Sequence, residues 1–177
     1  MPYMRAATDA PFGAMPYNEV LRVSPYLKDA SAVAIYPGDF VIQEADGGIG
    51  VSTAGSTQIV GVAAEYSAAS TAKQDFMVYD HPEQLFTIQD DGDTTQMAQT
   101  EIGLNANLIT TTGNTTTLRS NHEIDSSSAA TTATLALKVH ALHPIEGGTF
   151  ATTTAQQKRW VVSINTHFLS AWQQTGV

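Results

Sequence analysis

Between residues 32 and 165 the apolar positions come in short runs that alternate with polar ones and are cut by turn residues. That two-residue period is the pattern of strands that turn one face to a core. The densest example is 76–89, where Phe76 and Val78 sit two apart, Asp80-His81-Pro82-Glu83 makes a corner, and Phe86 and Ile88 alternate with Thr87 and Gln89. β-Branched and aromatic residues flank the corner, so the stretch predicts two half-buried strands, followed by the acidic turn Asp90-Asp91-Gly92-Asp93.

The pattern recurs on both sides of it. Residues 32–36 lead into Pro37-Gly38-Asp39, where proline presets φ and glycine accepts a positive φ, and then into 40–44. Runs at 49–53 and 58–63 are set off by turns at Asp46-Gly47-Gly48 and Ala54-Gly55-Ser56. Three to four strands within about 33 residues is the spacing of an all-β barrel or sandwich. Leu108-Ile109 enters a threonine-rich stretch, Thr110–Thr112 and Thr115–Thr117 around Gly113-Asn114, which predicts a solvated hairpin turning at Gly-Asn or a loop that pairs with a neighbour. Leu135, Leu137 and Val139, and later Trp160, Val162 and Ile164, mark two central strands. One short helix is predicted near residues 95 to 103, because Met97, Glu101 and Leu104 stand at helical separations with Thr before and Gly after.

Residues 1–31 break the pattern. Pro2, Pro11, Pro16 and Pro25 fall among Tyr3, Phe12, Tyr17 and Tyr26, which prevents a continuous helix and leaves the aromatics without periodicity. The expectation is an extended N-terminal arm over 1–31 and a β-rich domain over 32–177. The arm is read either as a disordered tail or as a segment that lies on a neighbouring subunit with its aromatics as anchors. Phe168, Leu169 and Trp172 predict a tail that docks on the domain or on a partner.

Composition narrows the function classes. With 17 acidic and 8 basic side chains the net charge is −9, and no Lys or Arg occurs between Lys73 and Arg119, so nucleic acid is not an expected partner. Cysteine is absent, which removes disulfides and thiolate chemistry and fits assembly in a cytosol. No run approaches the roughly 20 apolar residues of a membrane helix, and Met1-Pro2-Tyr3-Met4-Arg5 carries no apolar signal core; a soluble, unexported protein is the expectation.

Three constellations invite chemistry. His140 and His143 form a His-x-x-His pair, but three residues along a strand reverses the face, and Pro144 ends the segment. Asp90-Asp91-Gly92-Asp93 offers carboxylates to a hard cation but departs from an EF-hand loop and reads as a solvated turn. Asp80, His81 and Glu83 gather acid and base groups without a nucleophile motif beside them, and no glycine-rich phosphate loop is present. No catalytic residue, metal ligand or cofactor is therefore assigned, and an enzyme is not expected.

Tyr36-Pro37-Gly38-Asp39-Phe40-Val41, Ile59-Val60-Gly61-Val62-Ala63, Val78 to Gln89, Gly103-Leu104-Asn105-Ala106-Asn107 and Ser120 to Leu135 together resemble the capsid cement, or head decoration, proteins of tailed bacteriophages, over roughly residues 32 to 168. The resemblance lies in pattern and order. It implies a small β-rich virion protein, assembled in the host cytoplasm, that binds the outer surface of the shell, commonly as a trimer, and reinforces it through the major capsid protein. On that reading the expected capsid or subunit contacts are Tyr3, Phe12, Tyr17 and Tyr26 on the arm, with Leu108, Ile109 and Leu118 bounding the uncharged threonine-rich segment. The alternative is a tail or fibre module that binds a host surface through exposed aromatics such as Trp172.

Overall fold

The computed structural model describes residues 9–30, 33–92, 95–150 and 157–170. Met15–Pro16 forms the two-residue β1, and β2 (Val23–Lys28), β3 (Phe40–Gln43), β4 (Ile49–Val51), β5 (Ile59–Ala63) and β6 (Gln74–Tyr79) close a barrel in the order β2-β4-β3-β5-β6. Its steps are antiparallel except for one parallel contact, Lys28 with Ile49, between β2 and β4. β7 (Leu85–Gln89), β8 (Asn105–Ala106), β11 (Leu137–Leu142) and β12 (Arg159–Ile164) join β1 in a second, antiparallel sheet of order β1-β7-β12-β11-β8. β9 (Leu108–Asn114) and β10 (Arg119–Ile124) form a hairpin of their own.

Two cores result. Inside the barrel lie Ile35, Val41, Ile49, Val60, Ala63, Phe76 and Val78, so Phe76 and Val78 share a face as their spacing predicts. Between the barrel wall and the second sheet, Phe40, Ile59 and Val62 meet Phe86, Ile88, Trp160, Val162, Leu137 and Val139. Fully burying a side chain of this kind contributes roughly 1.5–3 kcal/mol, which makes the second core the main tie between the two layers. β5 is buried along its whole length. A bulge against β3, where Val41 faces Gly61 and Ile42 faces Ile59, adds a residue and lets Ile59 and Val62, three apart, serve one core while Val60 and Ala63 serve the other.

The turn before β3 forms as its sequence dictates: Asp39 N–H donates to Tyr36 O at 2.9 Å, and Gly38 holds φ at +94°. Four expectations change. The boundary at residue 31 is not observed, because β2 is a barrel strand paired with β6 from Val23↔Tyr79 to Lys28↔Gln74. Pro25 is tolerated there because β2 meets β4 only at Lys28, so the missing N–H falls where the strand has a neighbour on one side.

The helix near 95 to 103 is a single 3-10 turn, Gln99–Glu101, cut short by Gly103 at φ +90° and by the pairing of Asn105 and Ala106 with β11. The threonine-rich hairpin turns at 115–118 rather than at Gly113-Asn114: Asn114 pairs with Arg119, and its side-chain Oδ1 accepts from Thr116 N at 2.8 Å and Thr117 N at 3.0 Å. Finally, β7 is buried on both faces, with Thr87 and Gln89 only 9% and 4% exposed, because the outward face is covered as well: the Gln89 amide donates to Asp9 and to Glu123 of β10.

Candidate functional site

A cleft of about 720 Å³ opens where residues 9–12, β1, the tip of the β9–β10 hairpin, His143 and the first residue of β12 come together. Each wall is fixed by hydrogen bonds. Ala14 N–H donates to Gly38 O at 2.9 Å and Tyr17 N–H to Leu85 O at 2.8 Å, which fastens the N-terminal segment to the barrel turn and to β7. Gly13, at φ +70°, passes against Ser120 of β10 and the Gly38 carbonyl, a space in which a Cβ collides. On the opposite wall the Asn114 side chain shapes the hairpin tip, and Asn121 Nδ2 donates to Thr112 O at 2.8 Å.

Two arginines give the cleft its character. Arg159, at the start of β12, places its guanidinium 5.4 Å from the centre of the Phe12 ring. Arg119, at the start of β10, is exposed. The other described cations are engaged: Arg22 with Asp80, Lys73 with Asp46 and Lys158 with Glu146, while Lys28 and Lys138 donate to the carbonyls of Ala68 and Gly103. Among the described residues Arg119 and Arg159 form no ion pair, and both line this cleft. Asp9 is the only acidic side chain on the described lining.

His143 completes the wall. Its Nδ1 accepts from Ile145 N–H at 3.1 Å, so the neutral ring carries its proton on Nε2. Burial and then the nearby Arg159 charge push its pKa down, against the pull of Glu146. Tyr17 packs edge-on to this ring at 5.5 Å. The cleft thus offers two guanidinium groups, an imidazole N–H donor and apolar surface from Phe12 and Met15. That set suits an anionic group joined to apolar side chains, and it contains no nucleophile with a base beside it.

The residues nominated from sequence fall into three groups. Phe12 lines the cleft, Tyr17 braces His143, and Leu118, 43% exposed at φ +52°, sits between the lining residues Thr117 and Arg119. Leu108 and, in part, Tyr26 are taken up by the two cores. Tyr26 is a barrel residue whose hydroxyl donates to Asp80 at 2.8 Å, and burial followed by that carboxylate pushes its pKa up to about 12. Leu108 is 2% exposed within the second core, and Ile109 beside it is half-buried. Tyr3 and Trp172 lie outside the described residues.

The groups singled out for their chemistry make hydrogen bonds within the fold. Asp80 accepts from Arg22 Nε at 2.7 Å, Ser24 Oγ at 3.0 Å and Tyr26 Oη at 2.8 Å; burial pushes its carboxyl up, but these donors together hold it below the ordinary range. His81 accepts from Glu83 N–H at 3.1 Å, which makes the corner a turn. His140 turns to Ser163 Oγ at 2.8 Å, away from the role of His143. Asp90 receives Lys158 N–H at 2.8 Å and the Trp160 indole N–H at 2.9 Å, and Asp91 receives Ser126 N–H at 3.1 Å. Among the described residues no group of three or more metal-ligating side chains converges.

The sequence reading missed Arg119, Arg159 and His143 as a set. Its one available signal is that Arg119 ends the long stretch without a cation that begins after Lys73. No protein-family model, curated protein or solved structure matches this chain.

Proposed function

We propose that this chain is a structural virion protein that binds the outer surface of a phage capsid and stabilises the shell, acting as a homotrimer on the major capsid protein. The observation that carries the reading is the convergence of two distant stretches on one cleft. The N-terminal segment, through Phe12 and Tyr17, and the threonine-rich hairpin, through Thr117 and Arg119, are the stretches nominated for contact with a neighbour, and they face each other there. Val23 and Leu27, on the outward face of β2, add exposed apolar surface on the same N-terminal segment.

A cement protein needs no chemistry beyond preferential binding to the assembled shell, which raises the shell's apparent stability by mass action. Stable interfaces bury roughly 1,200–2,000 Å² in total, so a chain of this size gains from repeating a small contact by rotational symmetry. The test is to add the purified protein to shells emptied of DNA and to follow their thermal disruption, with labelled copies located on intact virions. The expected result is a higher disruption temperature and label over the whole head. Label confined to one vertex supports the tail-module alternative instead, and failure to bind shells overturns the reading.

A further inference from the structure

The geometry points to an acidic, extended peptide segment of the shell protein as the occupant of the cleft, held between Arg119 and Arg159. The inference rests on the capsid reading for the source of the peptide, and on the cleft alone for its chemistry. In a chain of net charge −9 most cations have internal partners, yet the two described arginines without an ion pair both open onto this one surface. A guanidinium recognises carboxylates through paired N–H donors along its edge.

Arg159 is prepared for that role. Its backbone is fixed on both sides, by pairing with Gln89 and by the His143 N–H that donates to its carbonyl at 2.9 Å. The cation–π contact with Phe12, 5.4 Å from the guanidinium carbon to the ring centre, holds the group against the apolar side of the cleft, and among the described residues no carboxylate pairs with it. Arg119 stands on the hairpin wall, while Phe12 and Met15 supply apolar surface for a side chain between two ligand carboxylates. The volume, about 720 Å³, lies within the roughly 300–1,000 Å³ of sites that engulf ligand-sized groups, so it takes a few residues of chain and not a folded face.

The same features argue against a nucleic acid. A phosphodiester chain carries a charge at every unit, and Asp9 on the lining repels a continuous run of negative charge. A peptide with carboxylates spaced by apolar residues meets the two arginines and avoids Asp9.

The experiment measures fluorescence anisotropy of the full-length protein with a labelled hexapeptide of alternating glutamate and leucine. The glutamine-leucine analogue and a hexathymidylate serve as comparison probes. The glutamate peptide is expected to bind tightest, and Arg119→Gln and Arg159→Gln are each expected to weaken it about tenfold, less so at high salt. Arg119 is exposed and without an ion pair, so its variant keeps the wild-type melting curve and reports on binding alone. Equal binding of the glutamine peptide, tighter binding of the oligonucleotide, or indifference to both substitutions overturns the inference. Concentration-dependent self-association abolished by Arg119→Gln also overturns it, by making a second copy of the chain the occupant.

Co-sedimentation with emptied shells separates the two readings. If wild-type protein binds the glutamate peptide but no shells, the capsid reading fails and the ligand chemistry of the cleft stands. If shells are bound equally by wild type and both variants, the capsid reading stands and the assigned occupant fails.

Discussion

Asp39 Oδ1 lies 3.5 Å from His122 Nε2, with both side chains sealed from solvent at 2% and 1% exposure. The pair joins the barrel turn to β10. His122 Nδ1 accepts from Phe40 N–H at 3.2 Å, Asp39 Oδ2 accepts from Tyr36 N–H at 2.8 Å, and the His122 ring stacks on Phe40 with 4° between the planes. Burial pushes the Asp39 carboxyl up to about 6 against the donors Ser120 and Tyr36, and burial pushes His122 down to about 4. Because Nδ1 is already an acceptor, the proton on the neutral ring stays on Nε2, facing Asp39.

Both shifts cost stability, but they change with pH in opposite directions. A carboxyl raised from 3.8 destabilises the fold as pH rises from 3.8 through about 6, whereas a histidine lowered from 6.5 destabilises it as pH falls from 6.5 through about 4. Between those limits the folded pair holds one proton on Asp39 and the unfolded pair holds one on His122, so the two pH slopes cancel although both shifts cost stability. Asp39→Asn is expected to expose the histidine term, with denaturation midpoints falling as pH drops from 6.5 to 4. His122→Gln is expected to expose the carboxyl term, with midpoints falling as pH rises from 3.8 to 6. Urea titrations across pH 4–7 check both, and parallel pH profiles for the two variants would sink the argument.

Glu123 has no such compensating partner. Burial, with Asp9, Asp91 and Asp90 around it, pushes its carboxyl up to about 7 from 4.5, and only the Gln89 amide at 3.3 Å opposes this. The folded state therefore holds the proton more tightly, and stability is lost as pH rises from 4.5 through about 7. Glu123→Gln is expected to stabilise the protein at pH 8 by about 1 kcal/mol, a figure discounted for partial solvent exposure, and to leave stability at pH 4 unchanged. A thermal melt series at the two pH values decides it.

Asp80 carries three donors from β2 and the residue before it, and it is the ionic tie between the first barrel strand and the corner after β6. Asp80→Ala leaves Ser24 and Tyr26 without their acceptor and is expected to cost about 3 kcal/mol, while Tyr26→Phe removes one bond and costs about 1 kcal/mol. The depressed carboxyl adds stability above its unfolded value of 3.8 that is lost as pH falls further. Chemical denaturation of both variants at pH 7 tests the order, and an Asp80→Ala protein as stable as wild type removes the tie.

Sequence alone revealed those strands whose alternation is set by a single buried face. Trp160, Val162 and Ile164 face one core, and Phe76 and Val78 the other, as their spacing requires. Strand β2 escaped notice because half of its pattern is inverted. Val23, Pro25 and Leu27 point outward, and Tyr26 is the aromatic packed against the barrel core, so a proline at the centre and exposed aliphatics imitate an arm. The cleft was legible only in pieces. Phe12, Tyr17 and Leu118 were marked for contact by their chemistry, but Arg159 and His143 reach them through the β12 and β11 ends, a proximity set by strand order and not by spacing along the chain.

The inclusion of β2 in the barrel changes what a truncation does. Removing residues 1–30 from an arm-plus-domain protein leaves the domain folded, but here it removes both β1 and β2. The loss of β2 strips one edge of β6 from Gln74 to Tyr79, opens the barrel between β4 and β6, and exposes the interior face of Phe76 and Val78. It also leaves Asp80 without Arg22, Ser24 and Tyr26. Open, apolar strand edges of this kind pair with other chains, so the truncated protein is expected to aggregate or to lack a cooperative thermal transition. Removal of residues 1–8 spares both strands and is expected to keep that transition. Near-ultraviolet circular dichroism through a thermal scan reads both outcomes, and a cooperative melt after removal of 1–30 would show that β2 is dispensable to the barrel.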